Sequence, residues 1–157
     1  MSATGGDATM AHVVSRVLVV RVGAEQVALP LQAVRELVDA PVITPVPLAP
    51  TALRGHCALR GQHLPVLDLG ALLGIAREPA EVAIALVADD GSFALGVDDA
   101  LDVWEPESAN LRPLPRGRDG RRLLRGVLHR ETEVAGLVDH TALWAVAVAT
   151  LRAESPQ

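Results

Sequence analysis

The sequence predicts an all-β protein in which two small barrels pack against each other. Three observations carry that expectation. Short runs of β-branched and aliphatic residues recur at close spacing, broken by Gly, Pro and Asp. That is the rhythm of a barrel or sandwich, not of alternating strands and helices. Many of the runs are continuously apolar instead of alternating, as in strands covered on both faces. Finally, the second half of the chain repeats the apolar pattern of the first.

Taken in order, residues 1–12 are small and polar, read as a disordered lead-in, and lack the charged-then-apolar pattern of a signal peptide. Strands are expected over 16–22, 26–29, 34–38, 64–67, 82–87, 93–97, 101–104 and 134–138. Gly23, Asp39-Ala40-Pro41, Pro45-Val46-Pro47, Gly61 and Asp89-Asp90-Gly91 punctuate them. Asp68 can cap a short helix over 69–73, closed by Gly74. A longer helix is expected from about Thr141 to Arg152, with Asp139 or Thr141 at its start. Its Leu143, Val146, Ala147 and Leu151 recur at helical spacing, and packing on the chain's own barrels is the simplest use of so apolar a helix.

The internal duplication separates fold from function. Val27–Val38 lies over Phe93–Trp104, which places Glu36 on Asp102. At a constant shift of 71, Leu53-Arg54-Gly55 falls on Leu124-Arg125-Gly126, Val66-Leu67-Asp68 on Leu137-Val138-Asp139, and Ala71-Leu72 on Ala142-Leu143. Each half therefore reads as three strands, a long loop, a Leu-Arg-Gly strand, a further strand and an Asp-capped helix. The halves span about 16–76 and 81–152, with a tail from 153. Positions shared by the halves are structural candidates, whereas exposed positions that differ are functional ones. Arg60, in Leu59-Arg60-Gly61, has Glu131 as its counterpart, so the repeat does not require an arginine there.

Composition narrows the function classes. Half of the 157 residues are apolar, enough for a substantial core. Phe93, Trp104 and Trp144 are the only aromatics, which argues against base or sugar stacking as the main business of the surface. Net charge is −5 and all fourteen basic residues are Arg, giving no general reason to expect nucleic acid or an anionic membrane. No apolar run approaches the roughly 20 residues of a membrane span. Cys57 is the only cysteine, so no intramolecular disulfide is possible, and the chain reads as cytoplasmic.

No motif for catalysis, metal or phosphate emerges. His56 and Cys57 are sequence neighbours and would point to opposite faces of a strand, so Cys57 reads as a small buried hydrophobe. His56, Cys57 and His63 fit no metal-ligand spacing, and Asp89-Asp90 and Asp98-Asp99 resemble turns more than a cation loop. No glycine-rich loop with a Lys exists for phosphate. The segment 112–122 is rich in Arg and Pro and reads as a solvated loop rather than a nucleic-acid contact. No cofactor is expected. Arg60 leaves two readings open: its planar fork suits a partner's carboxylate or carbonyls, and it equally suits an intramolecular salt bridge to a barrel loop.

At this point the residues resemble a known family, the CheW family of chemotaxis coupling proteins. The resemblance runs from about Val14 to Leu151. It is carried by Ala28-Leu29-Pro30-Leu31, Val34-Arg35-Glu36-Leu37, Ile43-Thr44-Pro45-Val46-Pro47, Leu53-Arg54-Gly55, Leu59-Arg60-Gly61, Leu64–Leu69, Leu95–Asp98 and Gly136–Asp139. It implies two packed SH3-like β-barrels with short helices and a C-terminal helix, without catalytic activity. It also implies a scaffold that bridges a chemoreceptor's cytoplasmic tip and the regulatory domain of a CheA-type histidine kinase. Such a protein is cytoplasmic, is recruited to receptor arrays at the inner membrane, and has no direct membrane or nucleic-acid contact. The partner-binding positions implied are Val34, Glu36 and Arg60, with Leu31, Leu59 and Gly61 beside them. The sequence departs from the family's habit at Ala58, where Asn is common, and at Val17, Val20 and Val27, where aromatics are common. A CheW-like adaptor of another sensory pathway, such as pilus motility, and a small-ligand-binding β-barrel sensor are the alternatives.

Overall fold

The computed structural model describes residues 15–75, 80–115 and 123–154. The lead-in before residue 15, residues 76–79, where the expected end of the first half falls, most of the Arg-rich segment (116–122) and the last three residues lie outside the described residues. In chain order the elements are β1 (Val17–Val22), β2 (Glu25–Pro30), β3 (Val34–Asp39), β4 (Ile43–Thr44), β5 (Leu53–Leu59), β6 (Gln62–Asp68), α1 (Leu69–Leu73), β7 (Ile84–Ala88), β8 (Ala94–Val97), β9 (Asp99–Trp104), β10 (Asn110–Arg112), β11 (Leu124–Arg130), β12 (Glu133–Val138) and α2 (His140–Glu154). Each expected strand is present within a residue or two.

The strands form two six-stranded sheets. Barrel one has the order β3-β7-β8-β6-β5-β4, and barrel two has β9-β1-β2-β12-β11-β10. Written this way the orders are superimposable: β7 and β8 stand where β1 and β2 stand, and each central pair (β6 with β8, β12 with β2) is parallel while the remaining pairs are antiparallel. The sequence halves and the barrels are not coextensive. Each half lends its first two strands to the other barrel, so the chain crosses between barrels at the short 3-10 turn Leu31–Ala33 and again between β8 and β9.

Three apolar cores follow from this arrangement. The interior of barrel one holds Cys57, Leu64, Val66, Ala85, Val87 and Ala94, with Val38 and Ile43 packed on them. The interior of barrel two holds Leu128, Ala135, Leu137, Val17, Val19 and Ala28, with Trp104 and Leu111. Cys57, Leu64 and Val66 map onto Leu128, Ala135 and Leu137 at the shift of 71, and Val38 maps onto Trp104. Every strand of a sheet contributes to its interior, including both end strands, and that requires the sheet to curl into a barrel. The third core lies between the barrels and is built from the opposite faces of the same strands: Leu18, Val20 and Val22, Val27 and Leu29, Leu86, Leu95 and Val97. This is why β1, β7 and β8 read as continuous apolar runs: in each, both faces are covered. Burial in barrel one pushes the Cys57 thiol up, as befits a core hydrophobe.

The helices close the inter-barrel core. Asp68 caps α1 by accepting from the Gly70 and Ala71 N–H groups, and left-handed Gly74 ends it. Asp139 accepts from the Ala142 N–H at 3.2 Å, so the cap of α2 is Asp139, not Thr141, and the helix starts at His140 and runs two residues past Arg152. Leu143 and Ala147 are fully buried and Leu151 leans on the same core. Val146 does not join them. It lies off the i, i+4 stripe of Leu143, Ala147 and Leu151 and is exposed, as is Val148.

Candidate functional site

The β5–β6 hairpin turns on Arg60-Gly61, with Leu59 paired to Gln62 and both turn residues at positive φ (51° and 80°). Two left-handed residues in a two-residue loop define a type I′ turn, which suits the twist of a hairpin. A Cβ on Gly61 would meet nothing within 4 Å, so it is the φ angle that calls for glycine there, not space. Arg60 therefore stands at the apex of the hairpin, its side chain 69% exposed.

Its guanidinium reaches across the mouth of barrel one to β3 and donates to both Glu36 carboxylate oxygens, at 2.5 and 2.6 Å. That fork-on-fork pair holds the Glu36 carboxyl below the usual carboxylate range against an opposing desolvation, and raises Arg60 in turn. Of the two open readings for Arg60, the intramolecular salt bridge is realised, yet the arginine remains mostly in solvent. A β-bulge at Arg35 turns the neighbouring side chain outward, and its guanidinium lies over Gly91 in the β7–β8 turn. Arg35 thereby adds to the Ser92 hydrogen bonds that keep the Asp90 carboxyl low.

The other expected partner positions distribute as follows. Leu59 packs its side chain partly on the barrel-one interior. Leu31 and Val34 flank the chain crossing from β2 to β3 and lean on the inter-barrel core. Leu31 is also tied by its N–H to the Arg16 carbonyl at 2.9 Å. Glu36, Arg60 and Gly61 thus form one exposed corner, whereas Leu31 and Val34 are half-packed.

Barrel two contains the counterpart that the sequence alignment misses. Asp102, which aligns with Glu36, is paired with Arg130 at 3.1 Å, and Arg130 also lies 3.6 Å from Glu133. Arg130 precedes Glu131, so a constant shift overlooks it by one residue. The two pairs differ in setting. Arg130 sits 4.5 Å over the Trp104 ring and is only 22% exposed, whereas Arg60 has Val38 in place of that ring. One arginine is laid on an aromatic platform between two carboxylates. The other is held by a single carboxylate and presented to solvent.

Three exposed apolar residues also escape the sequence reading. Leu37 lies opposite Leu86 across the β3–β7 ladder, and Val103 lies opposite Leu18 across β9–β1. Opposed residues share a face, and Leu86 and Leu18 belong to the inter-barrel core. The outer faces of β3 and β9 therefore border that core where it meets solvent, with Leu37, Leu101 and Val103 exposed along it. The signal was the period-2 alternation of β3, which puts Arg35, Leu37 and Asp39 outward. Among the described residues no cluster of three or more His, Cys, Asp or Glu is placed to hold a metal ion.

Two interleaved six-stranded sheets, each curled around its own interior and packed on a shared core, form a double β-barrel of the SH3-like class. The CheW-like domain model matches residues 16–147. The chain is 34% identical to the chemotaxis protein CheW of Rhizobium meliloti (strain 1021) over 76% of its own length and 80% of that protein's. It is 35% identical to Protein FrzA of Myxococcus xanthus over 63% of its length and 64% of that protein's. The fold matches the scaffolding protein TtCheW from Thermoanaerobacter tengcongensis with a TM-score of 0.65 at 21% identity, covering 80% of this chain and 88% of the other. The chain belongs to the CheW family.

Proposed function

We propose that the chain couples chemoreceptors to a CheA-type histidine kinase, with residues 13–152 as the working unit. It adds no chemistry of its own. It binds the receptor's cytoplasmic tip and the kinase regulatory domain together, so that a change in the receptor reaches the kinase through packed surfaces. Its place is the cytoplasm, at receptor arrays on the inner membrane. Among the described residues no helix is long and apolar enough to cross a membrane, which suits recruitment by partners.

The observation that carries this reading is the Arg60–Glu36 corner, an arginine bound by one carboxylate, raised on a left-handed turn and mostly in solvent. An Arg in that state can exchange its internal carboxylate for a partner's at little cost in desolvation. Leu37, next to Glu36 on β3, supplies exposed apolar area beside it. Val34, Leu31, Leu59 and Gly61 shape the same edge. Contacts that differ between two signalling states by roughly 1–3 kcal/mol suffice for coupling of this kind.

The test is a pull-down with the receptor tip and the kinase regulatory domain of the same organism. Wild type is expected to retain both, and Arg60→Glu is expected to lose at least one while keeping its fold by circular dichroism. Equal retention by both proteins would make Arg60 a structural residue only. A second reading, an adaptor of another sensory pathway such as pilus motility, is favoured by the 35% identity to FrzA. Retention of a kinase from such a pathway in preference to the chemotaxis kinase would select it.

A further inference from the structure

Between Asp39 and Arg54 the chain runs for fourteen residues, 40–53, without Asp, Glu, Lys or Arg, and four of the fourteen are prolines. Two more take a left-handed backbone without being glycine: Ala40 (φ 49°) and Leu48 (φ 60°). Leu48 follows Pro47 in a turn closed by the Ala49 N–H, which donates to the Val46 carbonyl at 3.4 Å. Proline followed by a left-handed residue is the centre of a type II turn, where Gly or Asn is the usual occupant. A leucine there strains the backbone and gains no packing in return, because it is fully exposed (104%). Val42, in the same segment, is 84% exposed. The base under the turn is fixed. Val46 and Ala49 lean on the inter-barrel core, the Leu53 N–H donates to the Pro50 carbonyl at 2.9 Å, and the prolines set their own φ angles. Leu48 is thus an apolar knob on a rigid turn. The turn precedes the seven residues of β5, a length of roughly 20 Å, and Arg60 follows them, so knob and corner lie at opposite ends of that strand.

We infer that this turn is a second docking surface, separate from the Arg60 corner, and that Leu48 seats in an uncharged, leucine-sized pocket of a folded protein partner. Backbone strain retained under a side chain that packs on nothing within its own chain points to function, since Gly or Asn would relieve both the strain and the exposure. A single rigid side chain raised from a turn fits a pocket, whereas a groove is read by a row of side chains along a helix or strand. The absence of charge over 40–53 means that the partner is read by apolar shape. The segment also lacks the basic and aromatic residues that anchor a chain at a lipid surface. The choice of probes rests on the coupling role proposed above, in which the chain holds two proteins at once. A surface at each end of β5 lets both bind together.

Isothermal titration of the full chain with the kinase regulatory domain and, separately, with the receptor tip tests this. Leu48→Asn is expected to weaken at least one of the two roughly tenfold or more, and Leu48→Met to retain both. Leu48→Asn is also expected to raise the urea denaturation midpoint, because Asn accepts the left-handed backbone, whereas a merely structural Leu48 would lose stability together with affinity. Binding of both probes unchanged by Leu48→Asn would overturn the surface and leave the coupling role standing. Binding of neither probe by wild type would overturn both. A Leu48-dependent dimer of the chain alone in sedimentation, or Leu48-dependent binding to vesicles of phosphatidylglycerol and phosphatidylethanolamine, would give the knob to a second copy or to lipid and overturn the pocketed partner.

Discussion

Two arginines in equivalent corners show how one scaffold serves packing in one copy and presentation in the other. Arg130 lies on Trp104 between Asp102 and Glu133. Arg130→Ala is expected to destabilise the protein by about 1–2 kcal/mol, the value of a part-buried cation–π contact plus a charge pair, read from urea denaturation. Arg60 offers its charge to solvent, which screens the pair, so Arg60→Ala is expected to lower the denaturation midpoint at neutral pH only slightly. Its effect lies in titration. Because Glu36 is held low by Arg60, the pair's contribution to stability is present above the ordinary Glu pKa and is lost as pH falls through the lowered one. The Glu36 carboxyl resonance in ¹³C NMR is expected to titrate below the usual glutamate range in wild type, and within that range in Arg60→Ala. A Glu36 titration midpoint that is the same in wild type and in Arg60→Ala would mean that the ion pair does not persist in solution. Glu36 and Arg60 were named from the sequence only as partner positions that the family resemblance implies, a role the ion pair does not test. Their contact was not legible there, because 24 residues of loop and strand separate them and only the barrel's closure brings β3 to the β5–β6 turn.

At the level of elements, the longer strands and both helices declared themselves through apolar runs and Asp caps, and the two shortest strands did not. Ile43–Thr44 and Asn110–Arg112 have two and three residues, and both lie beside prolines that read as loop. What makes them strands is a neighbour: β5 and β11, each pleated around a register shift at its Leu-Arg-Gly. The glycine of that motif is needed for contact as well as conformation. Gly55 has φ 143°, and a Cβ there would run into the Thr44 carbonyl oxygen and the Ile43 side chain. Gly55→Ala is therefore expected to cost roughly 3 kcal/mol or more, by strain plus displacement of β4, with the equilibrium denaturation midpoint as the measure. Gly126→Ala, where the carbonyl oxygen of Arg112 would lie 2.6 Å from the new carbon, is expected to act in the same direction on β10.

In the whole molecule, the duplication was visible in the sequence while the exchange of strands between copies was not. A repeat read along the chain suggests two consecutive barrels. Burial decides otherwise, since β1, β2, β7 and β8 are apolar on both faces and are stable only where one face fills a barrel and the other fills the core between barrels. Neither half can then close its own barrel. Residues 16–76 and 81–152, expressed separately, are expected to show no cooperative unfolding transition, whereas a sharp transition from either half alone would contradict the interleaved topology. The same interleaving locks the barrels into one body, which is what a scaffold needs to pass a displacement at one surface on to another. The coupling role itself is tested most directly by kinase autophosphorylation in membranes carrying receptor and kinase from the same organism. Adding the wild-type chain is expected to place kinase activity under control of the receptor's ligand, and adding Arg60→Glu is expected to leave it uncontrolled. A kinase whose response to that ligand is the same with and without the wild-type chain would contradict the coupling role.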